Sequence, residues 1–235
     1  MNRPPIHFTF PSMTEHHLAV ARQARYYQLG ELSAATRRVW FVLHGYGQLA
    51  GYFLRHFLPL TQADPALVVV APEGLARFYL SGNGGRVGAS WMTREDRLSE
   101  IEDYVAYLNA LAAPVLAAAP AAQVTVLGFS QGAATASRWL SRARFRPARL
   151  VLWAGAFPDD MEFTVATGLL RGLPVTLVVG EQDEFIDAGQ VRAQAEFLRG
   201  LGVEPELMQF AGRHTLDADV LRELVARDAV RPPQA

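Results

Sequence analysis

The sequence contains no cysteine and no lysine. Without cysteine there are no disulfides, no thiolate nucleophile and no cysteine-ligated metal. Without lysine, all 22 basic side chains are arginines, which reads as compositional bias and carries no functional meaning. They face 23 acidic residues for a formal net charge of -1, and no basic or acidic tract stands out. A nucleic-acid surface therefore has no electrostatic support. The opening segment, Met1-Asn2-Arg3-Pro4-Pro5-Ile6-His7, lacks an apolar stretch of signal-peptide length, so export is not indicated and a cytoplasmic location is expected. From Tyr104 to Ser137 charge is missing altogether, which raises the question of a membrane span. Pro114, Pro120, Gly128, Gly132 and the abundance of alanine point instead to a helix end, a turn and a buried strand, with no stable membrane insertion.

What is present suits a single α/β domain over residues 1–235: half the residues are hydrophobic and 19% are charged. Residues 1–36 hold strand candidates at Ile6–Phe10 and near Arg22–Leu29. His16 and His17 there read as surface residues. Continuous apolar runs at Arg38–Leu43, Leu67–Ala71, Arg149–Trp153 and Val175–Val179 have the composition of strands covered on both faces. Glu206–Phe210 is a last strand. Helical spacing is expected over roughly 51–62, from Leu98 to Ala112, after residue 131 to about Arg144, over 188–200, and around Val220–Val225. Residues 73–96, rich in glycine and aromatics, read as a long irregular loop, a substrate loop or lid. Alternating strands and helices predict a mainly parallel sheet with helices on both faces, whose ligands bind beyond the carboxyl ends of the strands.

One stretch carries the chemistry. The run Val124–Leu127 stops at Gly128, and Ser130 and Gly132 follow before a small-residue helix pattern. This is G-x-S-x-G between strand and helix, the setting of a nucleophilic serine. A serine hydroxyl needs a base within hydrogen-bond reach. Of six histidines, His214 alone follows Ser130, and it lies just past the last strand. The base needs an acid to hold it. Asp183 sits in the loop after Val175–Val179, with Glu181, Glu184 and Asp187 as competitors. An oxyanion needs two N–H donors. The backbone of Gln131 supplies one, and His44-Gly45-Tyr46-Gly47, after the strand ending at Leu43, supplies the other, with Tyr46 the preferred position.

These pieces resemble the carboxylesterase/phospholipase family of α/β-hydrolases, which includes acyl-protein thioesterases and small bacterial esterases. The carrying residues are Leu43-His44-Gly45-Tyr46-Gly47, Ser90-Trp91, Gly128-Phe129-Ser130-Gln131-Gly132, Gly180-Glu181-Gln182-Asp183 and Gly212-Arg213-His214. Gln48, Ala133 and Glu184-Phe185-Ile186 depart from the family pattern. The resemblance implies an α/β-hydrolase fold and a Ser130–Asp183–His214 triad acting on carboxylic esters or thioesters of small to medium acyl or aryl groups. It implies no metal and no cofactor. Of the aromatics near the strand ends (Tyr46, Tyr52, Phe53, Phe78, Tyr79, Trp91, Phe157 and Phe185), Trp91, Tyr79 and Phe185 are the expected substrate contacts. Other α/β-hydrolase reactions (dienelactone-type hydrolase, acetyl-xylan esterase, peptidase) and a non-catalytic binding protein are the alternatives. The oligomeric state, homodimer included, is left open.

Overall fold

The computed structural model describes residues 14–230. Its strands explain the layering. In β2 (Arg38–Leu43), Val39, Phe41 and Leu43 enter one apolar cluster while Trp40 and Val42 enter another. Successive strand side chains point to opposite faces, so a strand buried on both must be apolar throughout. The same alternation holds for β3 (Leu67–Pro72), β7 (Arg149–Trp153) and β8 (Val175–Gly180), with Arg149 and Thr176 as buried polar exceptions.

The main sheet has seven strands in the order β1-β3-β2-β6-β7-β8-β9, where β1 is Tyr26–Leu29, β6 is Gln123–Phe129 and β9 is Glu206–Phe210. Only β1 runs antiparallel, against β3; every other neighbouring pair is parallel. One face is covered by α3 (Arg97–Ala118), α4 (Gln131–Leu140), α5 (Phe163–Leu170) and α6 (Ala188–Gly200). The other is covered by α1 (Ala50–Phe53), the 3₁₀ turn Leu54–Phe57, α2 (Leu58–Ala63) and α7 (Ala218–Val230). At the strand-start end of the sheet, the buried Asp228 of α7 accepts hydrogen bonds from Trp40 Nε1 (3.0 Å) and Thr125 Oγ1 (2.7 Å) and lies 3.4 Å from Arg149 Nε.

Two expectations are corrected, and one helix is added. Residues 73–96 are not an irregular loop. They contain an antiparallel hairpin of β4 (Ala76–Ser81) and β5 (Gly84–Ser90), turning at Gly82-Asn83. Glycine is compatible with a strand where another backbone crowds it: a Cβ on Gly88 would lie 2.4 Å from Gly47 O. The helix after Ser130 stops at Leu140 rather than near Arg144. Helix α5 was not expected, because its sequence carries β-branched residues, a glycine and two exposed apolar side chains, Phe163 and Val165. The strand candidate Ile6–Phe10 lies outside the described residues; the second N-terminal candidate is β1. Tyr104–Ser137 is spread over α3, β6 and α4. Among the described residues no helix is long and apolar enough to cross a membrane.

Candidate active site

Parallel strands put the predicted residues at one end of the sheet. Ser130 is the junction of β6 and α4, with φ 53° and ψ -118°. That backbone is costly for a residue with a Cβ and persists only where its surroundings enforce it. Here they do. Ser130 N–H donates to Trp153 O (2.8 Å), and Ser130 O accepts from Ala133 N–H (3.0 Å). The glycines on either side allow the close approach. A Cβ on Gly128 would meet Gly132 O at 2.2 Å, and one on Gly132 would meet Leu43 O at 2.3 Å.

The loop after β8 brings Asp183 under the loop after β9. The side chain of Asp183 is fully buried; its Oδ2 lies 2.8 Å from His214 Nδ1, and its Oδ1 accepts the N–H groups of Phe185 (2.9 Å) and Ile186 (3.0 Å). The carboxylate is thus fixed before it meets the imidazole. With Nδ1–H donating to Asp183, Nε2 of His214 is the ring nitrogen left to accept a proton. The ring is held between Phe129, which precedes Ser130 (centroids 4.9 Å), and Phe185 (4.8 Å). Glu184 accepts the His214 N–H (3.2 Å) and pairs with Arg213 (3.1 Å). These backbone hydrogen bonds, its own N–H first and then that of His214, hold the Glu184 carboxyl below its ordinary pKa.

The turn after β2 is pinned from all sides. Gly45 N–H donates to Gln48 Oε1 (2.8 Å), Gly47 N–H to Ala89 O (2.8 Å) and Gln48 N–H to Gly45 O (3.2 Å). Within Gly45–Gln48 the Tyr46 amide is the one without a partner among the described residues. Gln131 opens α4, so its N–H has no acceptor within the helix. Its side chain is locked as well: Oε1 accepts from Trp91 N–H (3.1 Å), and Nε2 donates to Met92 O (2.7 Å). His44 is buried and stacked on Trp91 (5.0 Å), with Nδ1 at 2.7 Å from Gly45 O and Nε2 accepting from Gly74 N–H (2.9 Å). Burial, the dominant influence, keeps its pKa below the ordinary value.

Trp91, an expected substrate contact, stands against the turn after β2. It is 2% exposed, and its Nε1 donates to His44 O (2.8 Å). Tyr79 is exposed on β4 and Phe185 is exposed beside His214. The Tyr46 ring packs on Phe78 at 5.1 Å. A cleft of about 730 Å³ opens at Ser130 between the loop after β7 and α6, with Phe157, Leu177, Val191 and Phe197 in its wall. Of these only Phe157 stood out in the sequence; the α6 positions look like any core-facing helix stripe. Among the described residues, the side chains close enough to share a metal ion are Glu15, His17 and Asp96. All are exposed and none is a predicted site residue.

The phospholipase/carboxylesterase family model matches residues 33–226. The chain belongs to the phospholipase/carboxylesterase family. Membership makes it an ester hydrolase with the α/β-hydrolase fold. Solved structures share that fold. Esterase PE8 is 22% identical with a TM-score of 0.64, covering 88% of this chain and 98% of its own. Acyl-protein thioesterase 2 from Zea mays is 17% identical, TM-score 0.66, covering 88% and 99%. The Bacillus cereus carboxylesterase is 16% identical, TM-score 0.62, covering 88% and 93%. No curated protein matches the chain in sequence.

Proposed function

We propose that this family member is a serine esterase working through an acyl-enzyme, with carboxylic esters of small to medium acyl or aryl groups as substrates and thioesters as the chemically related class. The observation that carries the reading is the Asp183–His214 contact of 2.8 Å set against Phe129, one residue from a serine in strained backbone. Ser130 Oγ attacks the carbonyl carbon while its proton passes to His214 Nε2. Asp183 holds the imidazolium in register. The N–H groups of Tyr46 and Gln131 receive the oxyanion, and losing one such donor typically costs about 2.7–4 kcal/mol of transition-state stabilisation. Collapse of the tetrahedral intermediate breaks the C–O (or C–S) bond, and the leaving alcohol or thiol takes the proton from His214. Water then gives a proton to His214 and adds to the acyl carbon; the acyl–Oγ bond breaks, His214 returns the proton to Ser130 Oγ, and the acid leaves. None of these steps calls on a metal or cofactor.

A fluorophosphonate probe tests the nucleophile. Labelling maps to Ser130 and disappears in Ser130→Ala, together with p-nitrophenyl ester hydrolysis. Folded protein labelled at another residue, or not at all, rejects the assignment. A panel of esters, thioesters and peptides on the labelled enzyme's unlabelled counterpart separates esterase from the other α/β-hydrolase activities.

A further inference from the structure

The cleft at Ser130 is apolar along most of its wall, and α6 contributes Gln190, Val191, Gln194 and Phe197 to it. These positions share one helical face. The two glutamines differ. Gln190 is engaged in the scaffold, since its Oε1 accepts the Asp187 N–H (2.8 Å) in the capping box that starts α6. Gln194 is not engaged in this way. Its Nε2 is out of contact with solvent and has no hydrogen-bond partner among the described residues. A buried amide donor without an acceptor is a cost that leucine or methionine at this position would avoid. Arg97, Arg138 and Asp160 also line the cleft but are spent on one another; a polar group left unpaired in a ligand cleft is the one available to orient a ligand. The cleft reaches Ser130, whereas His214 is not in its wall. A leaving-group oxygen must face His214, so the arm lying in this cleft is the acyl arm.

Resting on the serine-esterase reading, we propose that Gln194 is a specificity-determining residue. The acyl groups it selects carry one uncharged hydrogen-bond acceptor, an ether or carbonyl oxygen, within an otherwise apolar chain. A small rotation of the amide turns its N–H towards such an oxygen and supplies the missing partner. A chain of carbon alone fills the same space and leaves the donor unpaired. Because Arg97 and Arg138 in the cleft wall both pair with Asp160, a charged acyl terminus would lose its water without gaining a free counter-ion.

The test uses the full chain and aryl esters with one constant leaving group. Acyl chains of equal length carry an ether oxygen in place of a methylene at successive positions. In the wild-type protein one position raises kcat/KM over the all-carbon chain by about three- to tenfold, and its neighbours do not. In Gln194→Leu, and in the nearly isosteric Gln194→Met, that preference vanishes while fluorophosphonate labelling of Ser130 is retained. An active wild-type enzyme with no favoured oxygen position overturns the proposal, whatever the variants do. A preference that survives in a folded Gln194 variant overturns it too. Failure of the esterase reading looks different: Ser130 is unlabelled and no ester in the series is turned over.

Discussion

Four acids crowd the loop after β8, and the surroundings of each decide what it can do. Asp183 is buried and spends both oxygens, on two backbone amides and on His214. Glu184 anchors the backbone of the His214 loop. Asp187 caps α6, and Glu181 faces solvent. From sequence these acids differ only in order, so position alone selects Asp183; its contact with His214 supports the proposed role. Asp183→Asn keeps the shape but presents an amide where an acceptor is needed. It favours the wrong imidazole tautomer, and kcat for a p-nitrophenyl ester is expected to fall about 10³–10⁴-fold. Glu184→Gln retains an acceptor for the His214 N–H and loses an exposed charge, so its effect stays within about tenfold. Equal losses in the two variants would mean that the acid is misassigned. The aromatics were the least legible residues. Trp91 and Phe157 are both large, apolar and near strand ends, and nothing in the sequence tells that one braces His44 while the other walls the cleft.

At the level of elements, legibility followed burial. β2 and β7 have the expected bounds because an apolar run framed by polar or small residues leaves few choices of register. The β4–β5 hairpin was hidden by its glycines, although Asn83-Gly84 beside Gly82 was the available turn signal. It matters to the site, because Ala89 exchanges backbone hydrogen bonds with Gly47 and Gln48 and so braces the turn that carries Tyr46. The elbow is the tightest junction. A methyl at Gly132 would press on the carbonyl oxygens of Leu43 and His44, both backbone atoms that cannot swing aside. Gly132→Ala should therefore destabilise the protein by about 1–3 kcal/mol, or about 2–4 °C in Tm per kcal/mol for a chain of this size. It should also depress activity further than the loss of folded protein explains, by pushing the end of β2 from α4. Gly168 lies within α5, where an added methyl would meet nothing inside 4 Å. There Gly→Ala should raise stability by about 0.5–1 kcal/mol and leave activity unchanged. Thermal melts of both variants beside ester hydrolysis check the contrast.

Across the whole molecule, the two ends of the sheet do different work. At the strand starts, Asp228, Trp40, Thr125 and Arg149 tie α7 to three strands. At the strand ends, a second buried polar group supports the turn after β2: Glu73 accepts from Arg25 (2.6 Å), Arg77 (2.7 Å) and the Ala50 N–H (3.2 Å), next to His44. Both Glu73 and His44 make the fold sensitive to acid, and the signs agree. Burial lowers the His44 pKa below 6.5 more than its bond to Gly45 O and the nearby Glu73 raise it. The unfolded chain then takes up the proton first, so stability falls as pH drops below about 6.5. His56, also lowered by burial, adds to this limb. For Glu73, burial pushes the pKa up, but hydrogen bonds from Arg77 and Arg25 outweigh it and the value lies below 4.5. Its contribution is complete above that pH and is lost as pH falls through the folded value. Urea unfolding from about pH 7.5 down to about pH 3.5 should therefore show two successive losses. His44→Gln should weaken the upper loss and spare the lower one; Glu73→Gln should do the reverse. If both variants keep the wild-type pH profile and differ only by a constant offset, these two groups do not set the acid limit of the fold.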